Sequence, residues 1–362
     1  MRIHRTALLV ATTAALALTP LTARATPKNQ AKEPTGVTVS KETSTDREIR
    51  EYWTPERLKN AKEYTPTNRG KHTTSPDATR TGSKKIFASA NAAKPETSTT
   101  TTTTTAQMAA AEVAVAQEVP YTTGPSYSIV GKLFFKKPGA TTESKCSASV
   151  IVSSNRNTLW TAGHCAHLGD GSGSAGFMND MYFIPGYRDG SAPFGAWSVK
   201  YKIVNDDWMN NGDSFDADYA ALVLNPHPTH GKLQDNVGAL GYYFADNVEE
   251  YDDVYAAGYP GEGYNRTDMI GERMYYCYGN TVDAGPYDPF IDDRKEMDCD
   301  QGKGSSGGPW IRGKSTTNPQ IIANFSHYED DPNTGVRIDD DVFSSEYDSK
   351  SANTINTANT LS

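Results

Sequence analysis

The sequence predicts an all-β domain of about 230 residues, a sandwich or barrel, behind an export signal and a long polar leader. Three observations predict it. From about Val119 onward, short runs rich in Val, Ile, Tyr, Phe and Leu alternate with clusters of Gly, Asn, Asp and Pro. The runs YSIVGKLFF, SASVIV, NTLWTA, MYFIPGY, WSVKYKIV, YAALVL, DVYAAGY, MYYCYGNTV and QIIANFSHY have strand length and near-regular spacing, with no long helical period between them. All four cysteines, Cys146, Cys165, Cys277 and Cys299, fall in this same part, as suits a chain that meets an oxidising compartment.

The first residues explain the export. MRIHR is a basic start, TALLVATTAALALTPL an apolar stretch, and Ala23 to Ala25 a small-residue cleavage site, so residues 1–25 read as a signal peptide. The apolar stretch is too short, and too broken by Thr and Pro20, to cross a membrane. Residues 26–118 are rich in Thr, Lys, Glu, Ala and Pro, and carry the run TSTTTTTTT from Thr97 to Thr105. Such a composition buries too little apolar surface to offset the entropy of ordering, which predicts a mostly disordered pro-segment. One island differs. In DREIREYWTPERLKNAKEY, Thr54 is placed to cap a helix that starts at Pro55, and Tyr52, Trp53 and Leu58 supply apolar contact. The island fits either a transient helix in a tail or an element that docks on the following domain until it is cleaved away.

A net charge of -9 and the lack of a basic stripe exclude nucleic acid as a partner, and nothing marks a membrane surface. The acidic groups near Asp206, Asp213 and Asp339 read as solvated loops, with a calcium site there as the lesser alternative, since no ligand spacing of a known loop type appears. Four cysteines allow three pairings. Their arrangement in two close couples favours Cys146 with Cys165 and Cys277 with Cys299, each bridge contributing about 3 kcal/mol in the chain-entropy account. No CxxC appears, so a zinc site is not expected, and neither is an organic cofactor.

Three short motifs carry chemistry. LWTAGHCAH places His164 after a strand that ends in small residues, where Ala162 and Gly163 let the imidazole sit against the backbone with one edge open. His167, His227 and His230 have no such setting and read as ordinary surface or core residues. A histidine base needs a buried acid to fix its tautomer and a nucleophile to deprotonate. In DADYAALVL, Asp218 heads an apolar strand and is the better acid, with Asp216 as the substitute further out. In GKGSSGGPW the glycines permit a sharp turn in which the amides of Gly304 and Ser306 converge on a developing oxyanion. Gly307 and Gly308 are expected to leave space on the substrate side.

TAGHC, DYAAL and GSSGGP, in that order, resemble the three catalytic motifs of the chymotrypsin-fold serine endopeptidases. The match runs from about Ser126 to Phe343, with 54 residues from His164 to Asp218 and 88 more to Ser306. AAGYPG followed by MDCDQGKGSSGGP is similar to the bacterial glutamyl endopeptidase branch. The resemblance implies two six-stranded antiparallel β-barrels with the active site between them, over 119–235 and 236–346, then a polar tail at 347–362. It assigns His164 as base, Asp218 as orienting acid, Ser306 as nucleophile, and the N–H groups of Gly304 and Ser306 as oxyanion hole. It also implies protein or peptide substrates, a monomer, and a pro-segment that acts as an intramolecular inhibitor.

Two departures stand out. The digestive members of the family carry, just before the nucleophile, an Asp that pairs with the freed N-terminus; here Ser305 stands there. The loop from Cys299 to Lys303 is not of trypsin length, so neither Asp298 nor Asp300 is safely equated with the trypsin specificity aspartate, although Asp300 stays a candidate for substrate contact. NFSHYED is expected to face the bound peptide, with Ser326 near the triad and His327 or Tyr328 toward the pocket, a histidine there suiting an acidic side chain. Two rivals fit part of the pattern. GSSGG also satisfies G-x-S-x-G, but an esterase of that fold places its acid and histidine after the serine. A secreted binding module on the same fold would look identical in sequence.

Overall fold

The structure is a computed structural model that describes residues 36–64, 86–89, 113–120, 125–245, 250–284, 286–287, 290–291 and 294–362. The expected signal peptide lies outside the described residues.

Ahead of the barrels come β1 (Val37–Lys41), helices α1 (Asp46–Tyr52) and α2 (Pro55–Asn60), and the short strands β2 (Lys62–Glu63), β3 (Ile86–Ala88) and β4 (Val113–Glu118). The first barrel is β5 (Val130–Lys136), β6 (Glu143–Ile151), β7 (Thr158–Thr161), β8 (Asn179–Pro185), β9 (Trp197–Asn205) and β10 (Ala220–Leu224), with helix α3 (Asp206–Asn211) after β9. Its strands pair in the order β5–β6–β7–β10–β9–β8 and close by pairing β8 back on β5. The second sheet contains β11 (Gly241–Phe244), β12 (Tyr251–Gly258), β13 (Tyr275–Asp283), β14 (Lys295–Asp298), β15 (Pro309–Arg312), β16 (Gln320–Asn324) and β17 (Asp341–Ser344), and helix α4 (Ser349–Asn359) ends the chain. Here the order is β17–β14–β13–β12–β15–β16–β11. Backbone bonds between His327, just past β16, and Phe343 of β17 draw the six strands from β12 to β17 into a ring.

Closure removes the unpaired edges that an open sheet would expose. Every residue of β10, AALVL, and of β16, QIIAN, is buried, because each strand is covered on both faces. Both cysteine couples are bonded as the spacing favours, Cys146 to Cys165 and Cys277 to Cys299.

Two stretches whose order the sequence leaves open are folded. Residues 36–64 lie on the first barrel: β1 extends it along β9, and β2 runs parallel to β6. Local sequence explains the helices, since Thr45 and Glu48 form a reciprocal capping box and Thr54 caps α2 with Pro55 at its first position. Ile49, Trp53, Ala61 and Tyr64 are buried, and Trp53 packs on Phe134 of β5 while its indole N–H donates to the Asp180 carbonyl. β4 is an edge strand of the second sheet, paired with β13. The expected polar tail contains α4, whose Ala352, Ile355 and Ala358 face inward and which packs on β9 and β10. Asp348 caps it by accepting from the Lys350 and Ser351 amides. Ser, Thr and Asn fill so much of its buried side that no apolar period marks the helix in the sequence.

Replacing Ile355 by Ala is expected to remove about 2–4 kcal/mol of stability, read as a lower urea midpoint at unchanged slope. A midpoint equal to that of the parent chain would mean that α4 contributes nothing to the barrel.

Candidate active site

His164 stands in a single tight turn, Gly163–Cys165, directly after β7, and the bond from Cys165 to Cys146 ties that turn to β6. Gly163 has a specific reason to lack a side chain: a Cβ there would lie 2.9 Å from the Trp208 ring and 3.1 Å from Asp218 Oδ1. The carboxylate uses that approach. Asp218 Oδ1 accepts from the His164 backbone N–H at 2.8 Å, and Oδ2 lies 2.8 Å from His164 Nδ1. Ser326 Oγ donates to the same Oδ2 at 2.5 Å, and the Asp218 amide donates to Ser345 Oγ at 2.9 Å. Burial alone would raise the Asp218 carboxyl; the charge of His164 and the bonds from His164 and Ser326 outweigh it and hold the group below the ordinary carboxylate range.

With Asp218 ionised, the proton between it and His164 belongs to Nδ1, so Nε2 is the acceptor. Nε2 is buried and bonds to nothing among the described residues. The open edge that the sequence suggested is covered by Tyr64 of the leader, whose ring centre lies 5.8 Å from that of His164. Asp216, the substitute acid, sits elsewhere, beside Asp213, Glu346 and Asp348, and burial followed by those like charges pushes it up to about 8.

Ser306 lies in the turn before β15. Its carbonyl accepts from the Ser147 amide at 2.8 Å, and the Gly304 carbonyl accepts from Ser147 Oγ at 2.8 Å, so β6 clasps the turn from the other barrel. Gly304 takes φ +100° and Gly307 φ +80°, the left-handed region open to glycine. Among the described residues the amides of Gly304 and Ser306 donate to no acceptor. Ser305 is buried and donates to Gln301 Oε1 at 2.8 Å. The expectation for Gly307 and Gly308 needs correction. A Cβ on Gly307 would meet Thr161 Oγ1 at 2.1 Å, and one on Gly308 the Ala257 carbonyl at 2.2 Å. These glycines let the turn pack against the protein rather than leave room for substrate.

A cleft opens beside Ser306, lined by Tyr64, Lys303, Ser326, His327 and Tyr328.

No family model matches the chain. Over 68% of its length it superposes on the whole of the protease Anisep from Arthrobacter nicotinovorans, with a TM-score of 0.57 and 27% identity. Over 66% it superposes on the whole of AL20, a thermostable serine protease from an extremophilic microorganism, with a TM-score of 0.54 and 27% identity. The chain has the trypsin-like, two-barrel serine-protease fold. A Glu endopeptidase shares that fold at a TM-score of 0.50 over 68% of this chain and 97% of its own, with 17% identity. In sequence, 228 residues are 25% identical to the extracellular metalloprotease of Bacillus subtilis (strain 168), covering 61% of this chain and 63% of the relative's length.

The metal in that relative's name has no matching donor set in this serine-protease fold among the described residues. The candidate cluster is Cys146, His164 and Cys165, and its two sulfurs are bonded to each other, which leaves one imidazole and no thiolate. Asp300 also departs from expectation. Its carboxylate is taken by Arg266 Nη1 at 2.8 Å and the Ala116 amide at 2.8 Å, fastening β4 rather than facing the cleft. Asp213, expected in a solvated loop, is buried and accepts from the Phe215 and Asp216 amides. His167 bonds to the Gly173 carbonyl and the Gly169 amide, and His227 packs on His230 beside Trp197.

Four residues at the site escape sequence reading: Tyr64, Arg294, Asn324 and Ser345. Asn324 Nδ2 reaches the Asp218 carbonyl at 3.4 Å, and Arg294 Nη1 lies 2.7 Å from His327 Nε2.

The Asp216 carboxyl holds its proton in the folded chain up to about pH 8, whereas in the unfolded chain it loses it near the ordinary value of about 3.9. Folded stability therefore falls as pH rises between those values. Asp216→Asn is expected to raise the urea midpoint more at pH 8 than at pH 4; an equal change at both would contradict the assignment.

Proposed function

We propose that this chain is an exported serine endopeptidase, made as a covered precursor, that cuts on the carbonyl side of acidic residues. One observation carries the reading. A buried carboxylate takes both N–H groups of His164, backbone and ring, and thereby leaves Nε2 as the accepting nitrogen, while among the described residues Nε2 and the amides of Gly304 and Ser306 have no partner. The likeness to Anisep and AL20 supports a protease, and two disulfides together with the extracellular Bacillus subtilis relative support export.

The chemistry follows from the donors and acceptors. His164 Nε2 takes the proton of Ser306 as its oxygen attacks the peptide carbonyl, and Asp218 stabilises the imidazolium that forms. The carbonyl oxygen gains negative charge and is met by the amides of Gly304 and Ser306, dipoles already fixed in place by the Ser147 clasp. His164 returns the proton to the leaving amine; water then repeats the sequence on the acyl-enzyme. The wall of the cleft, with His327 and Lys303, favours an acidic side chain on the acyl part of the substrate.

Residues 36–64 act as the inhibitor. Tyr64 covers His164, and its backbone N–H donates to the Lys145 carbonyl at 3.1 Å, on the strand that also holds the nucleophile turn. A peptide cannot occupy the same space. Removal of this segment is the activating step, and Ser305, which bonds to Gln301, takes no part in binding a new N-terminus.

A fluorophosphonate is expected to add once to the cleaved chain and not to Ser306→Ala, which should lose nearly all peptide hydrolysis at unchanged melting temperature. Tyr64→Ala is expected to speed labelling of the uncut chain by about tenfold or more, the effect of removing one well-packed aromatic cover. Labelling of Ser306→Ala, or hydrolysis by it, would overturn the nucleophile; equal labelling of uncut parent and Tyr64→Ala would overturn the cover.

A further inference from the structure

Behind the cleft wall a set of polar contacts runs in one direction. Arg294 Nη1 lies 2.7 Å from His327 Nε2, His327 Nδ1 lies 2.9 Å from Ser326 Oγ, and Ser326 Oγ donates to Asp218 Oδ2 at 2.5 Å. A guanidinium has no acceptor, so Nε2 of His327 must accept and its proton must sit on Nδ1. Nδ1–H then donates to Ser326 Oγ, whose own proton is committed to Asp218. Every link has one donor and one acceptor, from a cation at one end to the catalytic carboxylate at the other.

Two consequences follow for the cleft. The His327 imidazole in its wall is neutral, with both nitrogens in use. The positive charge that a carboxylate in the cleft meets behind that ring belongs to Arg294. The guanidinium is held firmly for the purpose: its side chain is 4% exposed, the rings of Phe215 and Phe343 each lie 4.3 Å from its central carbon, and Nη2 donates to Glu329 at 3.0 Å. His327 itself is stacked on Phe343.

We propose that Arg294 is the specificity-determining residue of this cleft, acting through His327, which it keeps as the neutral Nδ1–H tautomer while supplying the charge that favours an acidic substrate side chain. The proposal rests on the acidic preference inferred above. It makes the preference independent of histidine ionisation, because arginine stays charged throughout the working pH range. Among the described residues, other charged groups face this assembly from each neighbouring element. They are Glu329 on Arg294 itself, Glu296 of β14 with Asp341 and Asp339 beside it, Lys303 and Glu262 across the cleft with Tyr328 between them, and the Asp218–His164 pair behind Ser326.

The test compares two peptides that differ only in Glu or Gln on the acyl side of the cut bond, with rates referred to the serine titrated by a fluorophosphonate. In the parent enzyme the Glu/Gln ratio of kcat/KM should stay level from about pH 6 to 9, since the substrate carboxylate is fully ionised there. Arg294→Met should lower the ratio about tenfold, mainly through KM, as expected for one charged partner lost. What remains should fall as pH rises past about 6.5, when His327 must supply the charge itself. Arg294→Lys should restore most of the ratio, and Glu329→Gln, which removes a competing anion at the outer side, should raise it severalfold.

A parent ratio near one overturns the acidic reading together with this proposal. A clear parent preference that Arg294→Met leaves unchanged overturns the role of Arg294 alone. A parent ratio that itself falls away between about pH 6 and 8 assigns the charge to His327 and overturns it too. Should Arg294→Met fail to fold, Glu329→Gln decides: an unaltered ratio refutes the proposal.

Discussion

The Asp218 carboxylate carries a charge where water does not reach, and the geometry of the cleft follows from keeping it there. An isolated carboxylate in such a place would cost several kcal/mol. Its oxygens instead take two N–H groups from His164, in the first barrel, and a hydroxyl from Ser326, in the second, while Ser345 and Asn324 hold its backbone. The anion therefore fixes the register of one barrel against the other. Glycine appears where that closeness demands it: Gly163 admits the carboxylate, and Gly307 and Gly308 let the Ser306 turn rest on Thr161 and Ala257.

What the sequence reveals of this arrangement depends on how local each constraint is. His164, Asp218 and Ser306 stand in short motifs whose small residues and strand context are contiguous in the chain, so they can be singled out one at a time. The disulfide pairing was legible for the same reason, each couple being separated by about twenty residues. Arg294 was not, because its meaning lies in partners distant along the chain, Phe215, His327 and Phe343, and in the sequence it is one basic residue in a charged run. Gly307 and Asp300 were misread by the same blindness: each looks toward the cleft in sequence and toward another strand in space. Helix α4 escaped because Ser351, Thr354 and Thr357 fill buried positions normally given to apolar residues.

The leader shows composition overruled by a few contacts. Averaged over 26–118 it looks too polar to fold, yet 36–64 contain Ile49, Trp53, Ala61 and Tyr64, and these find apolar partners already exposed on the barrel. Charge complements the packing. Lys202, nearly fully buried in β9, pairs with Glu42 at 3.1 Å, and Lys145 of β6 pairs with Glu63 at 3.0 Å. Burial presses the Lys202 ammonium downward and Glu42 offsets that pressure. Two lysines of the first barrel thus face carboxylates that belong to the leader; Lys145 keeps Glu272 at 3.9 Å as a second partner, so separating the leader would leave Lys202 as the buried cation that has to find water.

That dependence bears on how a cover can be firm while attached and dispensable afterwards. Each anchor is modest: a buried Trp or Tyr contributes a few kcal/mol, and ordering the backbone of the segment costs a similar amount per one or two residues. A net balance near zero is enough while the segment belongs to the same chain, since the tether keeps its effective concentration in the millimolar range. The cleavage proposed above would leave every contact intact and remove only the tether. On the activation proposed above, dissociation would then become favourable by dilution, Lys202 would gain solvent, and the Nε2 of His164, which has no partner among the described residues, would lose the Tyr64 ring that packs on its imidazole.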